Sequence, residues 1–370
     1  MPAQEQKPVA DGNPTPEVRI EASRLFTRWL RGQKASLVFT TYQAGKMFLI
    51  GLKPDDSLAV FERSFDRCMG LAVRDRTLWL ASRFQLWRFV NILDPGNTHQ
   101  GYDALYVPMA GHTTGDVDIH DLALLADGTP VFVVTLFNCF AALGQEHSFR
   151  PFWIPPFINR LAAEDRCHLN GLALDETGYP RYATLVSRTN VVEAWREHRA
   201  DGGVLIDTVT GEILCEGLSM PHSPRWYRGR VWLLNAGTGE LGHVDPKEKV
   251  FRPVAFCPGF LRGLAFLGDY AVVGLSKPRH NRTFQGLPLN DRLNKEGIAP
   301  RCGLQVIHTD SGDASHTLAI EGFIEELYDV AVLPGIFQPM ALGFKTHEIE
   351  HVLRMDELQP LGIAGSLSGP

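Results

Sequence analysis

One pattern recurs along the chain and limits what it can fold into. A short apolar run is followed by a turn and then by a second apolar run that ends in polar residues. The copies read CMGLAVRDRTLWLAS (68–82), HDLALLADGTPVFVVT (120–135), NGLALDETGYPRYATLVS (170–187), HSPRWYRGRVWLLNAGTGEL (222–241) and RGLAFLGDYAVVGLS (262–276). A sixth start, YDVAVLPG (328–335), repeats the HDLALLADG pattern. The residues opening the apolar runs are Gly70, Asp121, Gly171, Ser223, Gly263 and Asp329, separated by 51, 50, 52, 40 and 66 positions. A period of roughly 40–50 residues with a tight turn between two short strands marks blades of a β-propeller. Stacked helices would show a 3.6-residue period, which these segments lack.

The expected fold is all-β: a six-bladed β-propeller whose last blade is closed by both termini, with a short N-terminal helix. SLVFTTYQAGKMFLIGL (36–52) and LAVFERSF (58–65) read as second to fourth strands lacking a first, and YDVAVLPG supplies a first strand with little after it. Pairing them removes an open sheet edge. Residues 1–19 are expected to be a disordered tail, 20–355 a single propeller, and 356–370 a C-terminal tail. Within 20–33, Ile20, Leu25, Phe26, Trp29 and Leu30 have the spacing of a helix packed on the ring. Two segments, 141–167 and 277–302, read as insertions forming ordered lids, since long loops in compact domains are often functional.

Composition narrows the function classes. With 42 acidic against 36 basic residues and a net charge of −6, the chain lacks the basic excess that binds nucleic acid. No apolar run approaches the roughly 20 residues that span a bilayer, and the polar, Pro-rich start does not read as a secretory leader. The six cysteines form no CxxC pair, which argues against a zinc ribbon and fits a reducing, cytoplasmic setting. The expected partner is a small molecule, with neither nucleic acid nor membrane, and the oligomeric state is left open.

In a propeller the first strand of each blade lines the central channel. The residues just before the six openings therefore form a ring: Met69, His120, Asn170, His222, Arg262 and Tyr328. Two positions earlier stand Arg67, Asp118, His168, Met220, Phe260 and Glu326. His120, His168 and His222 fall in corresponding places of consecutive blades, and three imidazoles around one axis suit Zn, Fe or Cu. These three are the expected metal ligands. Tyr328, Arg262 and Asp118 are the expected catalytic groups. Arg188, Asn170, Arg225, Asn235, Lys277, Arg279 and Trp153 are the expected substrate contacts, the arginines for an anionic group. Against this stand structural readings: each histidine bonds a carbonyl, several arginines pair with carboxylates, and Trp153 packs under a loop. The adjacent Cys167 and His168 point to opposite faces of a strand and make no nucleophile pair.

At HLNGLALDETGYPRYAT (168–184) and RGLAFLGDYAVVGLS (262–276) the strand–turn–strand unit resembles the gluconolactonase/senescence-marker and strictosidine-synthase-like six-bladed propellers. Across most of the chain, FWIPPFINRLAAEDRCHLNGLAL, GLSMPHSPRWYRGRVWLLNAGTGEL and SKPRHNRTFQGLPL resemble an uncharacterised bacterial family of conserved hypothetical proteins. The lactonase resemblance implies a divalent cation at the channel held by Glu, Asn and Asp. Asn170 matches an Asn of that set, whereas His120 and His222 stand where oxygen ligands belong, which disfavours Ca²⁺. The leading expectation is a metal-dependent enzyme acting on a small polar, anionic molecule at the channel mouth, by lactone or ester hydrolysis. The alternatives are metal-dependent oxidation at the same histidines, a metal-free enzyme using a channel His as general base, and a non-catalytic binding propeller.

Overall fold

The computed structural model describes residues 18–278 and 285–356. Six antiparallel sheets follow the six repeats. Blade 1 consists of Val330–Pro334, Ala35–Thr41, Lys46–Leu52 and Leu58–Ser64, from the inside outward. Blade 2 runs Leu71–Arg74, Thr77–Ala81, Gln85–Asn91, Ala104–Thr113, and blade 3 runs Ile119–Leu124, Pro130–Val134, Cys139–Ala142, Arg150–Trp153. Blade 4 comprises Leu169–Leu174, Pro180–Leu185, Gly203–Asp207 and Ile213–Leu218; blade 5 comprises Pro221–Tyr227, Arg230–Asn235, Glu240–Val244 and Phe251–Phe256. Blade 6 holds Phe260–Leu267, Tyr270–Ser276, Gly303–His308 and Ala314–Gly322. Faces of neighbouring blades bury clusters of Val, Leu, Ile and Phe, and that burial is the main favourable term in the fold.

The ring closes as the repeat predicts: Val330–Pro334 pairs antiparallel with Ala35–Thr41, Val332 opposite Leu37. Two further ties were not foreseen. Val18–Ala22 adds a fifth strand to the outer edge of blade 6, with Ile20 opposite Ile320. Pro339–Ala341 adds one in parallel to the outer edge of blade 2.

The helix expected over 20–33 is thereby shortened to Phe26–Gln33. Ile20 lies in a ladder of alternating burial, whereas Phe26, Trp29 and Leu30 keep the i, i+3, i+4 spacing of a buried helical face. The expected tail boundary shifts too, because Val18 and Arg19 already belong to a strand; residues 1–17 and 357–370 lie outside the described residues. The 141–167 insertion is also smaller than read. Arg150–Trp153 is the outer strand of blade 3, so only the stretch after it is added to the blade. In the second insertion Pro288–Glu296 forms a helix, with Pro at its start and Gly297 closing it at φ +65°. Among the described residues no helix is long and apolar enough to cross a membrane.

The inner strands meet at a charged hub. Arg225 of blade 5 reaches Asp121 of blade 3 through two bonds, of 2.8 and 3.1 Å, and Asp329 of blade 1 at 3.5 Å. Its Nε donates to the Leu264 carbonyl of blade 6 at 3.2 Å. Asp121 accepts the Leu172 amide of blade 4 at 3.1 Å, and Asp329 accepts the Leu71 amide of blade 2 at 3.0 Å. Three side chains therefore bond all six blades to one another. Their carboxylates are 3% exposed, and each accepts further amides from its own strand, which offsets the cost of burying charge. The interleaved glycines let the strands come this close: a Cβ on Gly263, at φ +80°, would lie 2.7 Å from the Val330 nitrogen.

Candidate functional site

Immediately above the hub the strand-opening turns carry the expected ring. In four blades the chain swings into the inner strand through a left-handed residue: Arg67 (φ 49°), Asp118 (61°), His168 (49°) and Met220 (45°). A non-glycine residue there costs on the order of 1 kcal/mol or more. Glycine would cost less, so the strain goes with the side chains themselves, three of which are polar and reach the rim.

Six of the expected residues lie within electrostatic reach of one another: His120, His168, His222, Arg262, Tyr328 and Asp118. His120 packs edge-on against His168, with ring centroids 4.9 Å apart, and against Tyr328 at 5.7 Å. Arg262 lies over the Tyr328 ring at 4.7 Å and the Phe260 ring at 5.8 Å. Phe260 in turn contacts His222 at 5.7 Å.

The hydrogen bonds settle which nitrogens face outward. His120 Nδ1 lies 2.8 Å from Thr135 Oγ1 and 3.2 Å from the Asp118 carbonyl. The Thr135 hydroxyl already donates to the Leu169 carbonyl at 2.6 Å, so both neighbours accept and Nδ1 carries the proton. In His168, Nδ1 donates to Asp165 at 2.7 Å, and the same carboxylate accepts the His168 amide at 2.9 Å. Trp195 stacks on the His168 ring at 4.0 Å and fixes its plane. Both Nε2 atoms are left as acceptors.

Burial drives the electrostatics. It holds His120 down to about 4, helped by His168 and Arg262 and opposed by Asp118. Burial and then Arg262 hold His222 well below the usual imidazole range. For Asp118 burial works against ionisation but is outweighed by His120, His168, Arg67 and Arg262, so its carboxyl sits low. Burial also pushes the Tyr328 hydroxyl well above the phenol range, only partly offset by Arg262, and keeps it a proton donor.

Several buried polar atoms here lack hydrogen-bond partners: Asn170 Nδ2, His222 Nε2 and Tyr328 OH, on residues no more than 5% exposed. Arg262 makes no ion pair among the described residues. Buried polar groups are normally paired, each orphan costing about 1–3 kcal/mol, and three of those in this structure stand in one ring.

The expected metal centre is not formed. Among the described residues no three His, Cys, Asp or Glu side chains are arranged to hold a metal ion. Two of the imidazoles donate Nδ1–H to protein partners and keep Nε2 as an acceptor, which a metal ligand could share, but the Arg262 guanidinium lies within electrostatic reach of His120 and His222 and opposes a divalent cation there. That charge is the feature of this donor set that disfavours the expected Zn, Fe or Cu. Other expected contacts are also placed elsewhere. Arg225 belongs to the hub, and Asn235 accepts the Ser219 amide at 2.7 Å. Trp153 packs on Phe140 at 4.7 Å, away from the channel. Arg188 is exposed beside Glu216, 3.7 Å away. Lys277 is half-buried past the end of its strand, its amide donating to the Glu325 carbonyl at 2.8 Å. Arg279 lies outside the described residues. Sequence reasoning missed Asp165 and Trp195, which stand on loops outside the repeat; Asp165, three residues before His168, was the one with a local signal.

Similarity to known proteins agrees with the fold. A family model described as "Domain of unknown function (DUF4915)" matches residues 24–342. No curated protein matches the chain. A chain of the nidogen/laminin complex superposes with a TM-score of 0.50 at 12% identity, covering 81% of this chain and 99% of that one. A protein of unknown function from Bacteroides caccae gives 0.49 at 11% identity over 81% and 98%. A catalytically inactive virginiamycin B lyase from Staphylococcus aureus, with quinupristin, gives 0.39 at 10% identity over 82% and 99%.

Proposed function

The chain belongs to the DUF4915 family, and from that premise we propose that it is a metal-free acid–base enzyme acting on a small polar molecule at the channel mouth. The observation that carries this reading is the set of buried, unpartnered polar atoms beside the Asp165–His168 pair. A carboxylate bonded to Nδ1 holds an imidazole in the tautomer whose Nε2 accepts a proton, and it stabilises the imidazolium that results. Trp195 prevents the ring from turning.

The reaction best matched to these groups is opening of a small ester or lactone. His168 Nε2 takes a proton from water as the water oxygen attacks the carbonyl carbon. The carbonyl electron pair moves onto oxygen, where Asn170 Nδ2 is the donor without a competing partner. Collapse breaks the acyl–oxygen bond, and the leaving alkoxide recovers the proton from His168. Water is thus added across one bond and the enzyme is regenerated. Asp121 and Asp329 of the Arg225 hub lie one residue further along the inner strands, so we read the substrate as entering from the side of the strand-opening turns.

The test is a panel of small esters and lactones assayed with purified protein, together with elemental analysis. Turnover that falls by about 10²–10⁴ in His168→Asn, with unchanged melting, is expected. Turnover that survives this substitution sinks the reading. So does stoichiometric Zn, Fe or Cu that is lost in a His120→Ala, His222→Ala double variant.

A further inference from the structure

Arg262 has two neighbours in the ring of opening residues, His222 of blade 5 and Tyr328 of blade 1. Both carry a buried polar atom without a partner, Nε2 and OH respectively. The guanidinium lies against the Tyr328 and Phe260 rings, with an N–H directed at the Tyr328 hydroxyl, so guanidinium and phenol present donors side by side. Charge accounting restricts what can bind there. Among the described residues Arg262 makes no ion pair, whereas Arg67 pairs with Asp116 and Asp118. His222 is neutral, and Asp118 is ionised nearby. A monoanion is therefore matched, whereas a phosphate dianion lacks a second positive charge.

We propose that Arg262, Tyr328 and His222 form a carboxylate cradle, so that the molecule bound at the rim carries a single carboxylate. This deepens the acid–base reading above and rests on the same site, with groups of blades 5, 6 and 1 anchoring what His168 and Asn170 of blade 4 act upon. A planar carboxylate takes two parallel bonds from the guanidinium edge, and the phenol and imidazole N–H groups supply donors to the remaining lone pairs.

Calorimetric titration with acetate, benzoate and inorganic phosphate in chloride-free buffer tests it. The carboxylates should bind at least about tenfold more tightly than phosphate. Arg262→Gln should weaken them about tenfold or more, and Tyr328→Phe about threefold to tenfold. Should Arg262→Gln not fold, Arg262→Lys serves, since it keeps the charge without the fork and should also lose affinity. Arg188→Gln, on the exposed surface beside Glu216, should bind the carboxylates as the wild type does. Phosphate binding more tightly than acetate, no carboxylate binding, or affinity indifferent to Arg262 overturns the cradle. Carboxylate binding without turnover of any ester keeps the cradle and removes the hydrolysis; turnover without carboxylate affinity does the opposite.

Discussion

One residue separates two rings of side chains around the same axis. His120 is followed by Asp121, Tyr328 by Asp329 and His222 by Ser223. In the lower ring every charge is met: Arg225 holds two carboxylates, and backbone amides occupy the carboxylate oxygens. In the upper ring an arginine has no carboxylate, and a phenol, an imidazole and an amide each leave an atom unbonded. The two rings share burial and polarity and differ only in satisfaction. Polar groups beneath a surface therefore do not announce a site by being polar; incomplete pairing is what sets the ring proposed to bind apart from the ring that fastens.

The largest expected effect breaks the lower ring. Arg225→Ala strands two buried carboxylates and should cost about 3–5 kcal/mol in urea unfolding. A loss below about 1 kcal/mol would mean that the hub does not hold the blades. The next effect has opposite signs in the two rings. His120, held down to about 4 from 6.5, contributes stability that is fully present above pH 6.5 and lost as pH falls towards 4. Asp329, pushed up by burial from 3.8 to about 7, contributes stability that is present below 3.8 and lost as pH rises through about 7. Unfolding free energies measured between pH 4 and 7 should show His120→Gln flattening a rise of roughly 2–3 kcal/mol, and Asp329→Asn removing a fall. Parallel slopes for the two variants would erase the distinction between the rings. The smallest effect is on stability alone. Tyr328→Phe removes an unpaired hydroxyl and keeps the stacking on Tyr42, so the melting free energy should be unchanged or rise by up to about 1 kcal/mol. Destabilisation beyond about 1 kcal/mol would show that this hydroxyl has a protein partner.

The fold was legible because a propeller repeats its register: each copy of the apolar run places its opening residue at the axis. The same register puts His120, His222, Arg262 and Tyr328 in one ring. It did not reveal which imidazole nitrogen faces the channel, since that depends on Thr135 and on Asp165, the latter in a connection outside the repeat. Arg225 was misread for a related reason. Its position on the inner strand was apparent, but its partners lie 104 residues away on either side, and only the closed ring makes them neighbours. The fifth strands on blades 2 and 6 were hidden because a strand of three or five residues carries little periodicity.

The closing strand has a consequence for how the chain is made. The four principal strands of each of blades 2 to 5 come from one continuous stretch, so they can pair as they leave the ribosome. Blade 1 cannot: its three early strands, Ala35–Thr41 to Leu58–Ser64, have no inner partner until Val330–Pro334 emerges. Asp329 arrives with that strand, so Arg225 is synthesised about a hundred residues before its second carboxylate. Nascent blade 1 therefore exposes an open sheet edge for most of translation, and a polypeptide interrupted before residue 329 carries that edge permanently.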